Sequence, residues 1–444
     1  MVGVGEAHHS QNTPLLPKFP RKRTGNVWTA IAHIITGVIG SGVLSLSWSM
    51  AQLGWIVGPL AMVAFATTTL FSAFLLCNSY RSPDPEHGPT RNRSYIEAVD
   101  MNLGKNNSLA CGFLLQLTIA IQESNCYHKE GHDAPCTYGD TYYMLLFGVV
   151  QITLSQLPDF HGIQWLSVVA AIMSFTYALI GLGLGVAKVI GQGFIEGSIT
   201  GISTTNPVDK IWLVSQALGD VAFAYPFSII LFEIQDTLES PPPENQTMKK
   251  ASAISIIVTT FFYLFCGGAG YAAFGNYTPG NLMTGFGFYE PYLLVDLANI
   301  CVVLHLVGGY QIYSQPLFAN VEQWLAEKLP ENGVMNKDYR LKIPLISTFR
   351  INPLRLSFRT AYVLSTTVIA MIFPYFNQIL GVLGGINFWP LTIYFPVEMY
   401  LKQANVEAWT TKWILLRVFS TVFLVITVFA LIGSIQGIIS AKLS

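Results

Sequence analysis

Long uninterrupted apolar runs, rather than amphipathic stripes, set the pattern of this chain. A helix crossing a hydrocarbon core of about 30 Å needs about 20 apolar residues. Read with that window, the runs fall at 27–50, 55–77, 142–157, 163–190, 211–232, 254–274, 292–317, 358–373, 379–397 and 413–439. An eleventh, 108–122, has only 15 residues and lies between spanning and non-spanning lengths. Barrel strands would instead alternate over segments of about ten residues, which these runs do not. The pattern predicts an all-α, polytopic helical membrane protein.

Composition and charge agree. Of 444 residues, 52% are hydrophobic and 11% charged, against about 25% charged in soluble proteins. A water-soluble enzyme would leave many of these runs exposed, and a disordered chain needs the opposite composition. A formal net charge of −1 excludes an overall basic nucleic-acid binder. Lysine and arginine mark the cytoplasmic side of a membrane protein. If the N-terminus is cytoplasmic and all eleven runs cross, 20 of the 24 basic residues lie inside. Removing 108–122 would turn the seven-charge stretch between Lys328 and Arg359 outward, so the short run is expected to cross and the C-terminus to lie outside. A polar tail (1–26) without a cleavable signal peptide precedes one transporter domain, 27–440. Residues 83–89, 241–243 and 328–352 read as connectors.

Two spans carry breakers at mid-depth. In the first, Thr36-Gly37-Val38-Ile39-Gly40-Ser41-Gly42 holds three glycines in six residues, each costing about 1 kcal/mol relative to alanine in a helix. In the sixth, Ala222-Phe223-Ala224-Tyr225-Pro226 places a proline, which lacks the amide donor, at similar depth. Either alone is more often close helix packing or a kink. As a pair five helices apart, they match the inverted-repeat plan of secondary transporters. Spans one to five (about 27–190) would form one repeat, six to ten (about 211–400) the other, with 413–439 peripheral. A half-helix N-terminus suits a carboxylate and freed carbonyls suit an ammonium, so a small zwitterion such as an amino acid fits, as would other small anions. Gly181-Leu182-Gly183-Leu184-Gly185 has no preceding strand and reads as a packing face. No phosphate-binding G-x4-G-K-[ST] stretch occurs, so uphill movement would draw on an ion gradient.

Ionisable groups inside the membrane are functional candidates by default. His33, four residues before Gly37, has an ordinary pKa suited to proton exchange; its bland alternative is a neutral histidine bonded into the bundle. Asp220, five residues before Tyr225, would line the outer approach. Asp296 and His305 read as bundle-facing polar residues, and Glu233 and Asp236, ending the sixth span, as solvated in preference to forming a cytoplasmic gate. Cys77, Cys111, Cys266 and Cys301 lie in spans as packing residues. Cys126 and Cys136 share a loop expected outside, where a disulfide is favoured over free thiols or a zinc site with His128 and His132, whose spacing is irregular. Asn276-Tyr277-Thr278 is a glycosylation tripeptide in another outer loop.

With these residues assembled, the chain resembles the plant amino acid permeases of the amino acid/auxin permease group. The resemblance rests on Asn26 to Thr36 running into Val38 to Leu46, on Gln52-Leu53-Gly54-Trp55, and on Gly219 to Pro226. Glu233 to Thr237, His305 to Gln311 and Gln315 to Phe318 carry it further. It extends from about Asn26 onward. It implies a leucine-transporter-type 5+5 bundle with a peripheral eleventh helix and proton-coupled amino acid symport at the plasma membrane. It also implies carboxylate binding at Gly40, Ser41 and Gly42, and His33 as the first-helix histidine associated with transport. The family's third helix is longer than the run at 108–122, so a shortened third helix is expected here.

The expected substrate site is Gly37, Ile39, Gly40, Ser41, Gly42, Phe223, Ala224 and Tyr225, with His33 and Asp220 coupling protons. No cofactor, resident metal or nucleic acid is expected, and the oligomeric state is left open. A carrier of another small carboxylate, such as an indole acid, and a non-transporting sensor are the rival readings.

Overall fold

The computed structural model describes residues 23–40, 42–95, 97–99, 141–156, 164–286, 292–328, 339–343, 346–372 and 376–443. The expected third run, 108–122, with Cys111, Cys126 and Cys136, lies outside them, as does Ser41. Helix α1 (Val27–Val38) starts at a capping box: the Asn26 side chain accepts from the amides of Trp28 and Thr29, and the Thr29 hydroxyl answers the Asn26 amide. It stops at Ile39, whose ψ of 76° is not helical. Helix α2 (Gly42–Ser79) then runs 38 residues, about 57 Å at 1.5 Å per residue, too long for a single crossing. Gly54 resolves this. Its φ of +81° leaves the helix, and the chain doubles back: a Cβ on Gly58 would stand 3.5 Å from the Met50 Cα. A side chain at Gly54 would strike the Ile199 carbonyl oxygen, so glycine serves both the torsion and the close approach.

The expected run 27–50 is thus α1, the break and the first part of α2, and the expected run 55–77 is the rest of α2 beyond a one-residue turn at Gly54. After the small hairpin β1 (Arg81–Ser82) and β2 (Thr90–Arg91) come α3 (Thr141–Ser155), α4 (Gln164–Gln192), α5 (Pro207–Ala224) and α6 (Ser228–Asp236). The break between α5 and α6 falls at Tyr225, Pro226 and Phe227. Next are α7 (Glu244–Phe274), the single turn α8 (Leu282–Gly285), α9 (Tyr292–Lys328), the hairpin β3 (Tyr339–Ile343) and β4 (Ile346–Ile351), and α10 (Pro353–Ile372). Helix α11 (Phe376–Asn387) passes through a π-helical stretch, Phe388–Tyr394, into α12 (Phe395–Gln403), and α13 (Thr411–Leu443) ends the chain. Among the described residues the two hairpins depart from an all-helical chain, the first flanking the expected connector 83–89 and the second lying within 328–352.

Seven described helices are long and apolar enough to cross a membrane, and their outer faces carry exposed leucine, isoleucine, valine and phenylalanine as a lipid-facing surface requires. At one end of the bundle, Arg23 bonds Asp236 at 2.6 Å, Glu244 at 2.9 Å and the Tyr80 hydroxyl at 3.0 Å. Arg81 grips the same fully buried Glu244 through two bonds, and Arg91 approaches it at 3.2 Å. The Glu244 carboxylate bonded to it holds the Arg81 guanidinium above its ordinary pKa. Gly25 pairs with Leu238 in a parallel bridge, tying the start of the chain beneath α6. At the opposite end, Trp55 stacks on Tyr271 at 4.9 Å and Lys210 Nζ donates to the carbonyls of Gln52 and Ile202. Gly181 and Gly185 do serve as a packing face, against Met283 and Ala269, while Gly183 meets nothing.

Candidate functional site

Both interruptions lie inside the protein, and they touch. A Cβ on Gly42, the first residue of α2, would come within 3.0 Å of the Ala224 Cα, so the backbone just past the first break lies against the backbone just before the second. Glycine there sets how closely the two can approach. Phe223 is half-buried beside the same contact, and its amide nitrogen would be 2.7 Å from a Cβ on Gly384 of α11. Gly37 is a packing position as well: a side chain would meet Ile230 of α6 and Tyr313 of α9.

Unwound backbone within a membrane must find partners elsewhere, and the carbonyls of the first break find hydroxyls. Tyr313 Oη donates to Gly37 at 2.7 Å, Tyr263 Oη of α7 to Val38, Ser174 Oγ of α4 to Ile39 at 2.8 Å, and Tyr177 Oη of α4 to Gly40 at 3.0 Å. Two of these donors also reach the second break. Tyr263 Oη lies 2.8 Å from the Ala224 carbonyl, and Tyr313 Oη lies 3.3 Å from that of Pro226. One hydroxyl has one proton to give. Each of these tyrosines is therefore shared between a carbonyl of one broken helix and a carbonyl of the other.

The expected residues distribute unevenly. Ile39 is fully buried with its carbonyl engaged, and the Gly40 amide donates back to Val38 at 2.8 Å. Tyr225 is completely buried, its ring edge-on to Tyr263 at 5.0 Å. His33 is buried on α1, one turn before Gly37. Asp220 is fully buried on α5, against Ser49 of α2 at 3.4 Å. The structure thus gathers Gly37, Ile39, Gly40, Gly42, Phe223, Ala224 and Tyr225 at one locus and leaves Asp220 a turn and a half away. Asn276 is exposed, whereas the Thr278 hydroxyl of its tripeptide is buried on the Gly275 carbonyl at 2.6 Å.

Sequence reasoning missed the four hydroxyl donors and underrated His305. Its Nδ1 lies 2.8 Å from Ser174 Oγ and 3.3 Å from the Ala170 carbonyl. A carbonyl only accepts, which puts the ring proton on Nδ1 and leaves Nε2 bare. That nitrogen faces the first break, 3.4 Å from where a Cβ on Gly40 would stand. The available signal was spacing: His305, Gly309 and Tyr313 recur every four residues, and Ser174 and Tyr177 stand three apart, so each set shares a helix face. Asp236, expected to be solvated, is instead ion-paired with Arg23. Glu233 has both carboxylate oxygens shielded from solvent. No group of histidine, cysteine or acidic residues suited to a metal ion occurs among the described residues.

Residues 23–440 match the family model described as "Transmembrane amino acid transporter protein". The chain is 56% identical over 440 residues to probable amino acid permease 7 of Arabidopsis thaliana, covering 95% of this chain and 94% of that protein. It is 51% identical to amino acid permease 2 of the same plant, over 94% and 88% of the two chains. Among solved structures, a Na+-coupled sialic acid symporter superposes with a TM-score of 0.52 at 12% identity, covering 95% of this chain and 90% of that one. The fold is of the leucine-transporter type.

Proposed function

From its membership of the transmembrane amino acid transporter family, to which this chain belongs, we propose that it is a proton-coupled amino acid symporter of the plasma membrane. The observation that carries the reading is the meeting of two broken helices at Gly42 and Ala224. A zwitterion there finds the N-terminus of α2 for its carboxylate and carbonyls of both helices for its ammonium. The Phe223–Tyr225 segment shapes the space for the side chain. His33 and Asp220, buried in the membrane-spanning part, are the proton-coupling groups. The two repeats are about 27–190 and 211–400, with α13 peripheral. The end carrying Arg23, Arg81 and Arg91 faces the cytoplasm, by the bias of basic residues.

The test is uptake of labelled alanine by purified protein in liposomes under an imposed inward proton gradient. Accumulation that collapses with the gradient, and is competed by neutral amino acids but not by indole acids, is the expected result. Competition by indole acids alone would make this a carrier of another carboxylate. A gradient-independent, non-accumulating protein would return it to the class of membrane sensors.

A further inference from the structure

Asp220 is a fully buried acid with little support around it. Its Oδ2 has a single long contact, with Ser49 Oγ at 3.4 Å, and its Oδ1 has no hydrogen-bond partner among the described residues. That oxygen points at α11 and α13. A Cβ on Gly381 of α11 would stand 3.0 Å from it and 2.3 Å from Ser434 Oγ of α13. One turn before Gly381, Asn377 is 6% exposed, and neither its amide nitrogen nor its amide oxygen has a partner. Ser49 thus approaches the Asp220 carboxyl from α2, and Asn377 stands one turn before the α11 glycine that its free oxygen faces.

Nothing charged faces this point among the described residues. Neither α2 nor α11 contains a charged residue. On α5, Asp209 and Lys210 lie at the far N-terminus, and Lys210 is spent on the Gln52 and Ile202 carbonyls. On α13, Lys412 and Arg417 belong to the opposite end of the bundle, and Lys442 is exposed eight residues beyond Ser434. An ionised carboxylate without cation or strong donor is disfavoured in such surroundings. A neutral carboxyl supplies what is missing: its O–H gives the Asn377 oxygen a donor, and its carbonyl oxygen gives the Asn377 nitrogen an acceptor.

We infer that Asp220 and Asn377 hold the coupling proton as a neutral acid–amide pair while α2, α5, α11 and α13 are closed around them. This rests on the proton-coupled reading above and assigns its proton to one site. When the helices part, water reaches the carboxyl and the O–H bond breaks or re-forms with a solvent proton, no other reactant being needed. The close glycines fit this role: a Cβ on Gly219 would strike the Gly381 carbonyl at 2.7 Å, so α5 and α11 have no side chains holding them apart.

The test uses the full chain in liposomes with labelled alanine, measured as counterflow exchange without a gradient and as accumulation under an inward proton gradient. Asp220→Asn, a permanent mimic of the protonated acid, is expected to keep exchange within about threefold of the parent and to lose gradient-driven accumulation. Asn377→Ala is expected to move the pH midpoint of uptake about one unit lower, the worth of one hydrogen bond to the neutral acid. Parental accumulation by Asp220→Asn, or an unmoved midpoint in Asn377→Ala, overturns the inference. So does loss of exchange in Asp220→Asn at parental membrane levels, which would place Asp220 in the substrate site. A parent that exchanges no alanine would defeat the transport reading itself, and that failure is distinct from these three.

Discussion

The two interruptions do the same thing by opposite chemistry. At the first, glycine weakens the helix without removing any hydrogen-bonding group. Four successive carbonyls, Gly37 to Gly40, consequently need donors, and three neighbouring helices supply them. At the second, Pro226 removes a donor outright. Its two engaged carbonyls, Ala224 and Pro226, take hydroxyls from the same Tyr263 and Tyr313 that serve the first. The glycine break is thus fastened to α4, α7 and α9, whereas the hydroxyls that reach the carbonyls of the proline break among the described residues are those of tyrosines it shares. Whatever loosens Tyr263 or Tyr313 acts on both, and whatever loosens Ser174 or Tyr177 acts on the glycine break alone.

The largest effect should come from forcing the breaks apart. Gly42→Val would place a branched side chain where even a Cβ comes within 3.0 Å of Ala224. Overpacking of this kind costs about 2 kcal/mol, and the initial rate of alanine uptake per molecule at the surface is expected to fall roughly 30-fold. Uptake at parental rate would mean that the contact at Ala224 opens freely, and the two breaks would no longer count as one site.

Next come the shared tyrosines. Tyr263→Phe and Tyr313→Phe each delete one O–H while keeping the ring. A net hydrogen bond is worth about 1 kcal/mol, so each should raise the KM for alanine roughly fivefold. Because each hydroxyl serves both breaks, the double variant should depart from additivity. Strict additivity would show two independent contacts rather than a shared fastening.

The breaks themselves were legible because glycine and proline act on their own backbone. The partners were not, because a tyrosine in an apolar helix reads the same whether it lines the core or the lipid. Only the fold brings Tyr263 within reach of Val38, 225 residues away. Asp236 misled for a similar reason: at the end of an apolar run a carboxylate looks solvated, and Arg23, which pairs with it, is 213 residues distant. His305 reads as one more bundle-facing polar residue of its helix, and nothing in its local sequence points to Gly40 across the interface. Gly54 shows the reverse case. The runs at 27–50 and 55–77 are legible as two crossings, but a turn of one residue needs the approach of Ile199 to explain it.

The smallest effect, and the most informative about the difference between the breaks, belongs to Ser174. Its hydroxyl has one proton for the Ile39 carbonyl at 2.8 Å or the Ala170 carbonyl at 2.9 Å, while it accepts from His305. Ile39 has a second donor in reach, Tyr177 Oη at 3.1 Å. Ser174→Ala therefore leaves the carbonyl served, and its cost should stay near 0.5 kcal/mol, about a twofold change in KM. Tyr177→Phe alone should cost more, since it strips Gly40 as well. With both changed, Ile39 loses every hydroxyl that the structure gives it. An unsatisfied buried acceptor costs about 1–3 kcal/mol, so the double variant should exceed the sum of the singles. A cycle built the same way on Tyr313→Phe and Ser174→Ala, which share no carbonyl, should close within about 0.5 kcal/mol. If instead the Ser174–Tyr177 cycle closes and the other does not, the glycine break is held through α9 rather than α4.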